Sequence, residues 1–261
     1  MPLLELDNVV RRFGGILATD GVTFSVDDGE VLGIIGPNGA GKTVLLNLIS
    51  GIYRIENGSI RFDGSPIDRL GAHRMARLGI ARTFQSTEQF KDFKVIEYVM
   101  LGRFHLQRRS TWACALGLPT VIRSERRERA LARDALEHLS LGDVCEERMR
   151  ELAYGVQKQV DIARAMVAQP RLMLLDEPTS GTTSDERVAI ARALSEVAAS
   201  STTLVIVDHD VRFLSGQCPR LLALNYGQVI ADGRPEEVLQ HPGVLESYLG
   251  SAARTGTEPV E

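Results

Sequence analysis

Short apolar runs alternate with longer amphipathic stretches along most of the chain. Val31–Ile35, Thr203–Val207 and residues 172–175 are almost entirely apolar, as strands buried on both faces of a sheet are. Residues 155–168 and 185–199 place apolar side chains at helical spacing. This alternation of buried strands with helices predicts an α/β fold built on a parallel sheet.

The N-terminal part of the chain has a different, antiparallel pattern. Residues 22–26 alternate between apolar and polar side chains, as a half-buried strand does. The Asp-Asp-Gly sequence at 27–29 predicts a tight hairpin turn into Val31–Ile35. A second hairpin with an Asp-Gly turn is predicted at residues 59–64. Together they predict a small antiparallel β subdomain beside the parallel sheet.

Strand patterns vanish between residues 88 and 151, where charged helical patterns replace them. Residues 121–139 keep Leu131, Ala135 and Leu139 on one stripe, which predicts a helix with a solvated charged face. We therefore predict an α-helical subdomain inserted into the α/β core. The predicted organisation is a single domain at 1–250, with its core at 1–87 and 152–250, the helical subdomain at 88–151, and a flexible C-terminal tail at 251–261.

The composition is that of an ordinary globular chain and argues against several other classes. Of the 261 residues, 44% are hydrophobic and 25% are charged, which excludes global disorder. The net charge of −4 argues against a nucleic acid as the main partner. No apolar run approaches the roughly 18 residues of a spanning helix, and the N-terminus lacks the regions of a signal peptide. The scattered Cys114, Cys145 and Cys218 predict neither a disulfide framework nor a metal cluster, which fits a reducing cytosol.

One segment matches the phosphate-binding pattern GxxxxGK[ST] at every fixed position. It is Gly36-Pro37-Asn38-Gly39-Ala40-Gly41-Lys42-Thr43. It lies between a buried strand and a helical stretch, which is the context that the pattern needs. Its glycines let backbone N–H groups crowd around phosphate oxygens, and the helix N-terminus adds its positive end. Lys42 is predicted to contact the β- and γ-phosphates, and Thr43 to give its hydroxyl to Mg²⁺.

Polar residues also follow two other predicted strands, as Asp176-Glu177 and Asp208-His209. Ligands of open α/β sheets lie beyond the carboxyl ends of the strands, so these residues and the phosphate loop predict one phosphoryl-transfer site. Asp176 is expected near Mg²⁺, directly or through water. Glu177 is predicted to orient and polarise the attacking water. His209 is placed to contact either the γ-phosphate or the catalytic carboxylate.

Each of these features also has a purely structural explanation. A glycine-rich turn with a chance lysine would explain Lys42, and a strand-end Asp-Glu-Pro turn would explain Glu177. A turn or helix-cap histidine would explain His209. Their occurrence after three strands of one predicted sheet favours a common site over three separate coincidences.

Five motifs in order make the chain resemble the ATP-binding cassette of ABC transporters over about residues 3–250. Besides the phosphate loop they are the Q-loop glutamine Gln85, the signature motif Leu152-Ala153-Tyr154-Gly155-Val156-Gln157, the strand and carboxylates at 172–177, and the switch histidine His209. The resemblance is closest to the ATPases of branched-chain amino acid importers. That subgroup shares the form of residues 82–85, the Leu-Ala-Tyr-Gly signature and the pattern of residues 235–250. The implied fold is a P-loop NTPase (RecA-like) core with the two subdomains described above.

The resemblance also implies which residues serve ATP and Mg²⁺. The implied nucleotide-binding residues are Phe13, Gly36, Pro37, Asn38, Gly39, Ala40, Gly41, Lys42, Thr43 and Val44. Phe13 would stack on the adenine ring, the alternative being a strand-end core aromatic. The implied metal residues are Thr43, Gln85 and Asp176, and the implied catalytic residues are Lys42, Glu177 and His209. The signature residues Ala153, Tyr154, Gly155, Val156 and Gln157 would cap the γ-phosphate held by a second cassette.

The same resemblance implies a set of partners and a location. Two cassettes, identical or different, would sandwich two ATP molecules head to tail. Integral membrane permease subunits would dock on the helical subdomain, with Gln85 in the hinge, and a solute-binding protein would act indirectly. The chain would then lie peripherally at the cytoplasmic face of the membrane. Branched-chain amino acids are the expected solutes, and other amino acids, urea-like amides and organic acids stay open.

Three departures from the family pattern leave other functions open. Val44 replaces a Ser or Thr, Val156 replaces a polar residue, and residues 179–184 lack the usual pattern of the loop between the two ATP sites. A lost hydrogen bond to a charged group costs about 1.5–3 kcal/mol, so ATP binding is expected to survive. One alternative is a slow-turnover paralogue. The other is an ATP-dependent clamp or regulator that acts without a membrane partner, against which the acidic balance argues.

Overall fold

The structure is a computed structural model that describes residues 2–84, 87–106 and 119–254. The strands in these ranges are β1 Pro2–Phe13, β2 Ile16–Asp27, β3 Val31–Ile35, β4 Asn57–Phe62, β5 Ser65–Pro66, β6 Ile80–Arg82, β7 Leu172–Asp176, β8 Thr203–Val207, β9 Arg220–Asn225 and β10 Gln228–Gly233. The α-helices are α1 Lys42–Ile49, α2 Ala72–Arg77, α3 Val95–Met100, α4 Pro119–His138, α5 Tyr154–Met166, α6 Ser184–Ala199, α7 Val211–Gln217, α8 Pro235–Gln240 and α9 Pro242–Arg254. None of the helices in these ranges combines the length and apolar character that a bilayer span requires.

Two sheets organise the chain, and they confirm the predicted α/β fold with an antiparallel β subdomain. The six-stranded sheet has the order β10-β9-β3-β8-β7-β6. Its strands from β9 to β6 pair in parallel, and β10 pairs antiparallel with β9. β7 and β8 are buried along their whole length, which explains why their sequences are apolar on both faces. The four-stranded sheet has the order β2-β1-β4-β5 and is antiparallel.

The predicted hairpin at residues 27–29 is wrong, although a turn is present there. β2 pairs with β1 in one sheet, whereas β3 pairs with β8 and β9 in the other. The turn therefore passes the chain between sheets, and the Gly29 N–H donates to Thr203 Oγ1 at 2.8 Å. Because β3 is buried on both faces, it lies in the interior of a parallel sheet rather than beside one antiparallel neighbour. The second predicted hairpin is confirmed, since β4 pairs with β5.

Apolar side chains cover both faces of the six-stranded sheet. On one face the strands pack with α1 and the antiparallel sheet, in a layer that includes Leu32 and Leu46. On the other face they pack with α3, α4, α5 and α6, in a layer that includes Val160 and Ile206. The helix that follows the phosphate loop thus lies on the opposite face of the sheet from the helix that carries the signature motif.

The described residues between 88 and 151 form α3, α4 and short 3₁₀ turns, and no strand is assigned among them. α4, at Pro119–His138, corresponds to the helix predicted at 121–139. The division of the domain at residues 88 and 151 stays a prediction. Residues 251–254 of the predicted flexible tail belong to α9, and the rest of that tail lies outside the described residues.

A buried polar cluster joins the helical region to the core. Tyr98 of α3 is fully buried, and its hydroxyl donates to Asp161 Oδ1 of α5. Asp161 also accepts at 2.7 Å from Arg164 Nε and at 2.7 Å from the backbone N–H of Phe84. Burial raises the pKa of Tyr98, and the Asp161 carboxylate raises it further, so the phenol stays protonated and donates. The cluster therefore connects α3, α5 and the segment that follows β6.

We expect Tyr98→Phe to lower the free energy of unfolding by about 1.5–3 kcal/mol, because it removes a buried hydrogen bond to a charged group. Denaturation by urea, followed by circular dichroism, measures the change. Tyr226→Phe is the matched control, because Tyr226 is 68% exposed and its variant should unfold within about 0.5 kcal/mol of the wild type. Equal stability of Tyr98→Phe and wild type would contradict the role of the cluster.

Candidate active site

The phosphate loop connects the end of β3 to the start of α1. Gly36 has φ 153°, and a Cβ there would lie 2.2 Å from the Leu224 carbonyl oxygen. Gly41 has φ 100°, and a Cβ there would lie 2.3 Å from the Ala18 carbonyl oxygen. Both positions therefore require glycine, and the loop is held between β9 and β2. No described side chain caps α1, so the N–H groups of its first turn are available to an anion.

Lys42 is the first residue of α1, and its side chain folds back over the loop. Its Nζ donates to the carbonyl oxygens of Gly36 at 2.6 Å and Pro37 at 3.1 Å. Burial lowers the pKa of the amine, and the carboxylates of Glu177, Asp176 and Asp208 oppose that effect. The amine is therefore held over the loop by two backbone carbonyl oxygens. The other predicted loop residues, Asn38, Gly39, Ala40, Thr43 and Val44, lie in the same loop and the first turn of α1.

Asp176 is the last residue of β7 and is 1% exposed. Its Oδ2 accepts from Arg82 Nη2 at 2.8 Å. Its Oδ1 is buried and has no hydrogen-bond partner among the residues that the structure describes. An unpartnered buried carboxylate oxygen suits a hard cation or a water bound to one, so Asp176 fits the predicted role at Mg²⁺.

Glu177 and His209 are in direct contact at the ends of β7 and β8. His209 Nε2 and Glu177 Oε1 are 2.6 Å apart. Of the two partners predicted for His209, the structure shows the carboxylate. The backbone of Glu177 has φ 51°, which is uncommon for a residue other than glycine, and its N–H donates to the Val207 carbonyl oxygen at 2.7 Å. The side chains of Glu177 and His209 are 23% and 45% exposed, so water reaches the pair.

The signature residues Ala153, Tyr154, Gly155, Val156 and Gln157 form the N-cap and first turn of α5. Their predicted role at the γ-phosphate of a second cassette stays a prediction, but in the single chain this helix N-terminus already has an acceptor. The Gly155 N–H donates to Glu186 Oε1 at 2.9 Å. A Cβ on Gly155 would lie 2.4 Å from Glu186 Cγ, so glycine permits this contact. The helix terminus therefore already holds a carboxylate.

Glu186 is held from a second side by the start of α6. Its Oε2 accepts from the backbone N–H of Thr183 at 2.8 Å, and Thr183 is the N-cap of α6. The hydrogen bonds from Thr183 and then from Gly155 lower the pKa of Glu186. The Thr-x-x-Glu sequence at 183–186 is a capping-box pattern that predicts the first contact. Nothing in the sequence pattern predicts the second contact, because it depends on how α5 and α6 pack.

The Gln157 side chain is bound within its own chain. Its Nε2 donates to the Leu152 carbonyl oxygen at 3.1 Å, and its Oε1 accepts from Thr87 Oγ1 at 3.1 Å. Thr87 lies two residues after Gln85, the predicted Q-loop glutamine. Gln85 itself lies outside the described residues, so its predicted place at the metal stays a prediction.

Phe13 lies at the end of β1, where the chain turns into β2. Its ring packs edge-on against Tyr53, with the centroids 5.1 Å apart. The guanidinium carbon of Arg11 lies 4.6 Å from the centroid of the Phe13 ring. Phe13 is half-buried rather than part of the core, and stacking of an adenine on it stays a prediction.

Asp208 was predicted to lie at the site because it follows β8, but no role was assigned to it. Its Oδ2 accepts from the Thr179 N–H at 3.0 Å and from Thr179 Oγ1 at 2.7 Å. Thr182 Oγ1 in turn donates to the Thr179 carbonyl oxygen at 2.6 Å. These bonds attach the loop that follows Glu177 to the end of β8. The loop that departs from the family pattern thus forms an ordered, hydrogen-bonded turn.

Comparison with protein families and sequences gives consistent matches. A family described as "ABC transporter" matches residues 19–180, and one described as "Branched-chain amino acid ATP-binding cassette transporter" matches residues 228–254. The high-affinity branched-chain amino acid transport ATP-binding protein BraF of Pseudomonas aeruginosa is 36% identical over 255 residues, covering 96% of this chain and 99% of that protein. The corresponding protein LivG of Escherichia coli is 32% identical over 252 residues, covering 96% and 99%.

Solved structures of ATP-binding cassettes have the same fold as this chain. A nucleotide-free ATP-binding cassette from an ABC transporter superposes with a TM-score of 0.85 at 30% identity, covering 95% of this chain and 99% of that one. A cassette of an ABC transporter in its ADP conformation superposes with a TM-score of 0.83 at 30% identity, covering 96% and 99%.

We expect Glu186→Gln to unfold at a lower temperature than wild type at neutral pH, and Glu186→Ala lower still. Gln keeps one acceptor oxygen for either the Thr183 or the Gly155 N–H, whereas Ala leaves both without an acceptor. Because the folded chain lowers the pKa of Glu186, its charge stabilises the fold above the ordinary glutamate pKa. That contribution is lost as the pH falls through the lowered value.

Thermal unfolding of the three proteins between neutral and acidic pH tests this expectation. The difference between wild type and Glu186→Gln should shrink as the pH falls. A difference that stays constant with pH would contradict the assigned role of the Glu186 charge.

Proposed function

The chain belongs to the ATP-binding cassette family of ABC transporters, and we propose that it is the ATP-hydrolysing subunit of an importer for branched-chain amino acids or a related small polar solute. The relatives described above are named for branched-chain amino acid transport, which supports this class of solute. One observation in the structure carries the proposed hydrolysis. Glu177 contacts His209 at the ends of β7 and β8, the same sheet edge at which the phosphate loop with Lys42 follows β3.

In this proposal the triphosphate of ATP binds at the N-terminus of α1, in the loop 36–43. The amide groups of the loop and first turn surround the phosphates. Lys42 exchanges the carbonyl oxygens of its own loop for the β- and γ-phosphates, which are better partners for a cation. Val44 supplies no hydroxyl, so the phosphates depend on backbone groups and Lys42 at that point. Phe13 would support the adenine ring at the other end of the nucleotide.

Thr43, Asp176 and Gln85 are the residues that would hold Mg²⁺. The unpartnered Oδ1 of Asp176 fits such an ion, because Mg²⁺ in nucleotide sites takes one or two protein ligands together with phosphate oxygens. When bound, the ion would neutralise the charge of the β- and γ-phosphates. Asp176 would act on it directly or through water.

Glu177 is the proposed base for the water that attacks the γ-phosphorus. Its carboxylate accepts a hydrogen bond from that water, aligns the oxygen with the bond to the leaving ADP and takes up the proton. His209 holds the carboxylate from one side, which restricts the rotamers available to Glu177. Attack forms the bond between water oxygen and phosphorus while the bond to the bridging oxygen breaks, and Lys42 stabilises the charge on the transferred group.

A second cassette, identical or different, would complete the site with its signature helix. The Gly155 N–H would then contact the γ-phosphate held by the partner loop. Since Glu186 accepts from that N–H in the single chain, formation of the sandwich requires the carboxylate to move away or to share the donor. Permease subunits in the membrane would dock on the helical region, place the chain at the cytoplasmic face, and pass on solute delivered by a binding protein.

A slow-turnover paralogue is the second candidate, and Val44 and Val156 favour it by removing polar groups from both halves of the site. The hydrogen bonds of Thr179, Thr182 and Asp208 argue for an intact linking loop. The steady-state ATPase activity of the assembled complex distinguishes a slow-turnover paralogue from an active transport ATPase.

A clamp acting on nucleic acid is less favoured because of the net charge of −4, and tight nucleic-acid binding without a membrane partner would support it.

We expect Glu177→Gln to reduce the rate of ATP hydrolysis ~100-fold or more while ATP still binds, because the variant keeps the shape of the side chain and loses the base. Phosphate release and ATP binding by fluorescence measure the two effects. The exposed Glu236→Gln in α8 is the matched control and should hydrolyse ATP at the wild-type rate. Undiminished turnover of Glu177→Gln would eliminate Glu177 as the base.

We also expect Glu186→Gln to strengthen ATP-dependent self-association in a Glu177→Gln background. The substitution removes a negative charge from the helix terminus that would receive the partner's γ-phosphate, while the capping pattern of α6 is kept. Light scattering at increasing protein concentration, with and without ATP, measures the association. Weaker association of the double variant would show that the Glu186 charge assists the closed state instead of competing with phosphate.

A further inference from the structure

Arg82 connects Asp176 to α1, and neither the motif comparison nor the proposed function gives it a role. It is the last residue of β6, which pairs in parallel with β7 so that Arg82 is opposite Leu174. Its side chain is 17% exposed and reaches past Leu174 to Asp176 at the end of β7. An arginine at the end of a sheet-edge strand thus lies against the buried carboxylate.

The guanidinium group binds a different element with each terminal nitrogen. Nη2 donates to Asp176 Oδ2 at 2.8 Å. Nη1 donates to Asn47 Oδ1 and, at 3.2 Å, to Ser50 Oγ, at the C-terminal end of α1. The guanidinium is planar and its N–H directions are fixed, so binding both partners fixes their relative position.

The backbone of Arg82 is itself held in place. Its carbonyl oxygen accepts from Arg164 Nη2 at 2.7 Å. Arg164 is buried and paired with Asp161 at 2.7 Å, within the cluster that joins α3 to α5. The arginine is therefore anchored at both its backbone and its side chain, and it has little freedom to follow a moving carboxylate.

The consequence for Asp176 is a single allowed orientation of its carboxylate. With Oδ2 bound to Arg82, only Oδ1 is left without a partner in the described part of the chain. α1 begins with Lys42 and Thr43 and ends beside Arg82, so the same guanidinium also fixes the helix that carries the proposed hydroxyl ligand. Arg82 thus sets the position of Asp176 relative to α1.

We propose that Arg82 is a positioning residue for the metal, holding Asp176 so that Oδ1 faces the ion bound with the nucleotide. The inference rests on the proposed function, since it assumes that Mg·ATP binds at this loop. Residues that orient a group at a metal typically change metal affinity or activity by about 10–100-fold when they are replaced. Arg82→Met should therefore weaken the contribution of the metal to nucleotide binding while leaving metal-free binding nearly unchanged.

The test compares nucleotide affinity with and without metal in a Glu177→Gln background, in which hydrolysis does not interfere. Fluorescent N-methylanthraniloyl-ATP is titrated in excess Mg²⁺ and, separately, in EDTA. The dissociation constant in EDTA divided by the dissociation constant in Mg²⁺ gives a ratio that reports the contribution of the metal. Arg82→Met should lower this ratio about tenfold or more, and Arg82→Lys should recover part of it, because Lys keeps the charge without the planar fork.

Arg103→Met is the matched control. Arg103 pairs with Glu128 at 2.7 Å, and its side chain is 16% exposed, close to the 17% of Arg82. Its loss removes an ion pair of similar burial outside the proposed site, so the ratio should stay at the parent value even if thermal stability falls. Asn47→Ala keeps the bond between Arg82 and Asp176 and loosens only the anchor on α1, and it should lower the ratio less than Arg82→Met does.

Two results would overturn the inference. The ratio in Arg82→Met stays at the parent value, as it also does when a purely structural defect increases both dissociation constants equally, or the ratio rises. If Arg82→Met does not fold, the same criteria apply to Arg82→Lys and Asn47→Ala. Failure of the Glu177→Gln parent to bind the fluorescent nucleotide in Mg²⁺ would instead contradict the proposed function.

Discussion

The in-register position of β8 between β3 and β7 is the constraint on which the candidate site depends. Neighbouring strands lie about 4.8 Å apart, so the segments that follow these three strands emerge within about 10 Å of one another. The phosphate loop follows β3, His209 follows β8, and Asp176 ends β7. The bond from the Glu177 N–H to Val207 extends the ladder one residue beyond β7 and brings Glu177 beside His209. The order of the strands thus brings the candidate catalytic groups together.

The sequence predicts those parts of this arrangement that are local. The apolar runs of β3, β7 and β8 are strands, and the glycine pattern of the phosphate loop matches two positions that admit only glycine. Turn chemistry alone does not say which strands pair, which is why the turn at 27–29 was wrongly predicted to form a hairpin. The order β3-β8-β7 is equally non-local, because these strands lie far apart in the chain. Fold rules predict that the carboxyl ends of these strands lie at the same edge of the sheet. They do not predict which of the strands are neighbours.

The residues whose contacts sequence reasoning missed share one property, which is that they act across elements. Glu186 belongs to α6 and contacts the first turn of α5. Asp208 follows β8 and binds the loop after β7. Arg82 ends β6 and binds both α1 and β7. Each has an ordinary local explanation as a capping, turn or strand-end residue. Only the packing of helices and strands against one another brings these side chains to the site.

The ion pairs Arg82–Asp176 and Arg164–Asp161 contribute more to the orientation of their carboxylates than to the stability of the fold. Desolvation offsets much of the attraction between buried charges, so apolar side chains of similar volume would stabilise the same space about as well as Arg82 with Asp176 or Arg164 with Asp161. Apolar contacts, however, fix neither the rotation of a carboxylate nor the distance to a neighbouring helix as closely as hydrogen bonds do. The pairs are joined, because Arg164 donates to the Arg82 carbonyl oxygen and shares Asp161 with Tyr98.

A continuous series of hydrogen bonds therefore runs from α3 in the helical region, through α5, to the carboxylate at the end of β7. Every step in it involves a charged group or a backbone group that is buried or half-buried, where an unpaired partner would be costly. A displacement of α3 relative to the sheet must then either break one of these bonds or move Arg82 with it. Because Arg82 also holds the end of α1, such a displacement would alter the spacing between α1 and Asp176, on which a metal site between them depends.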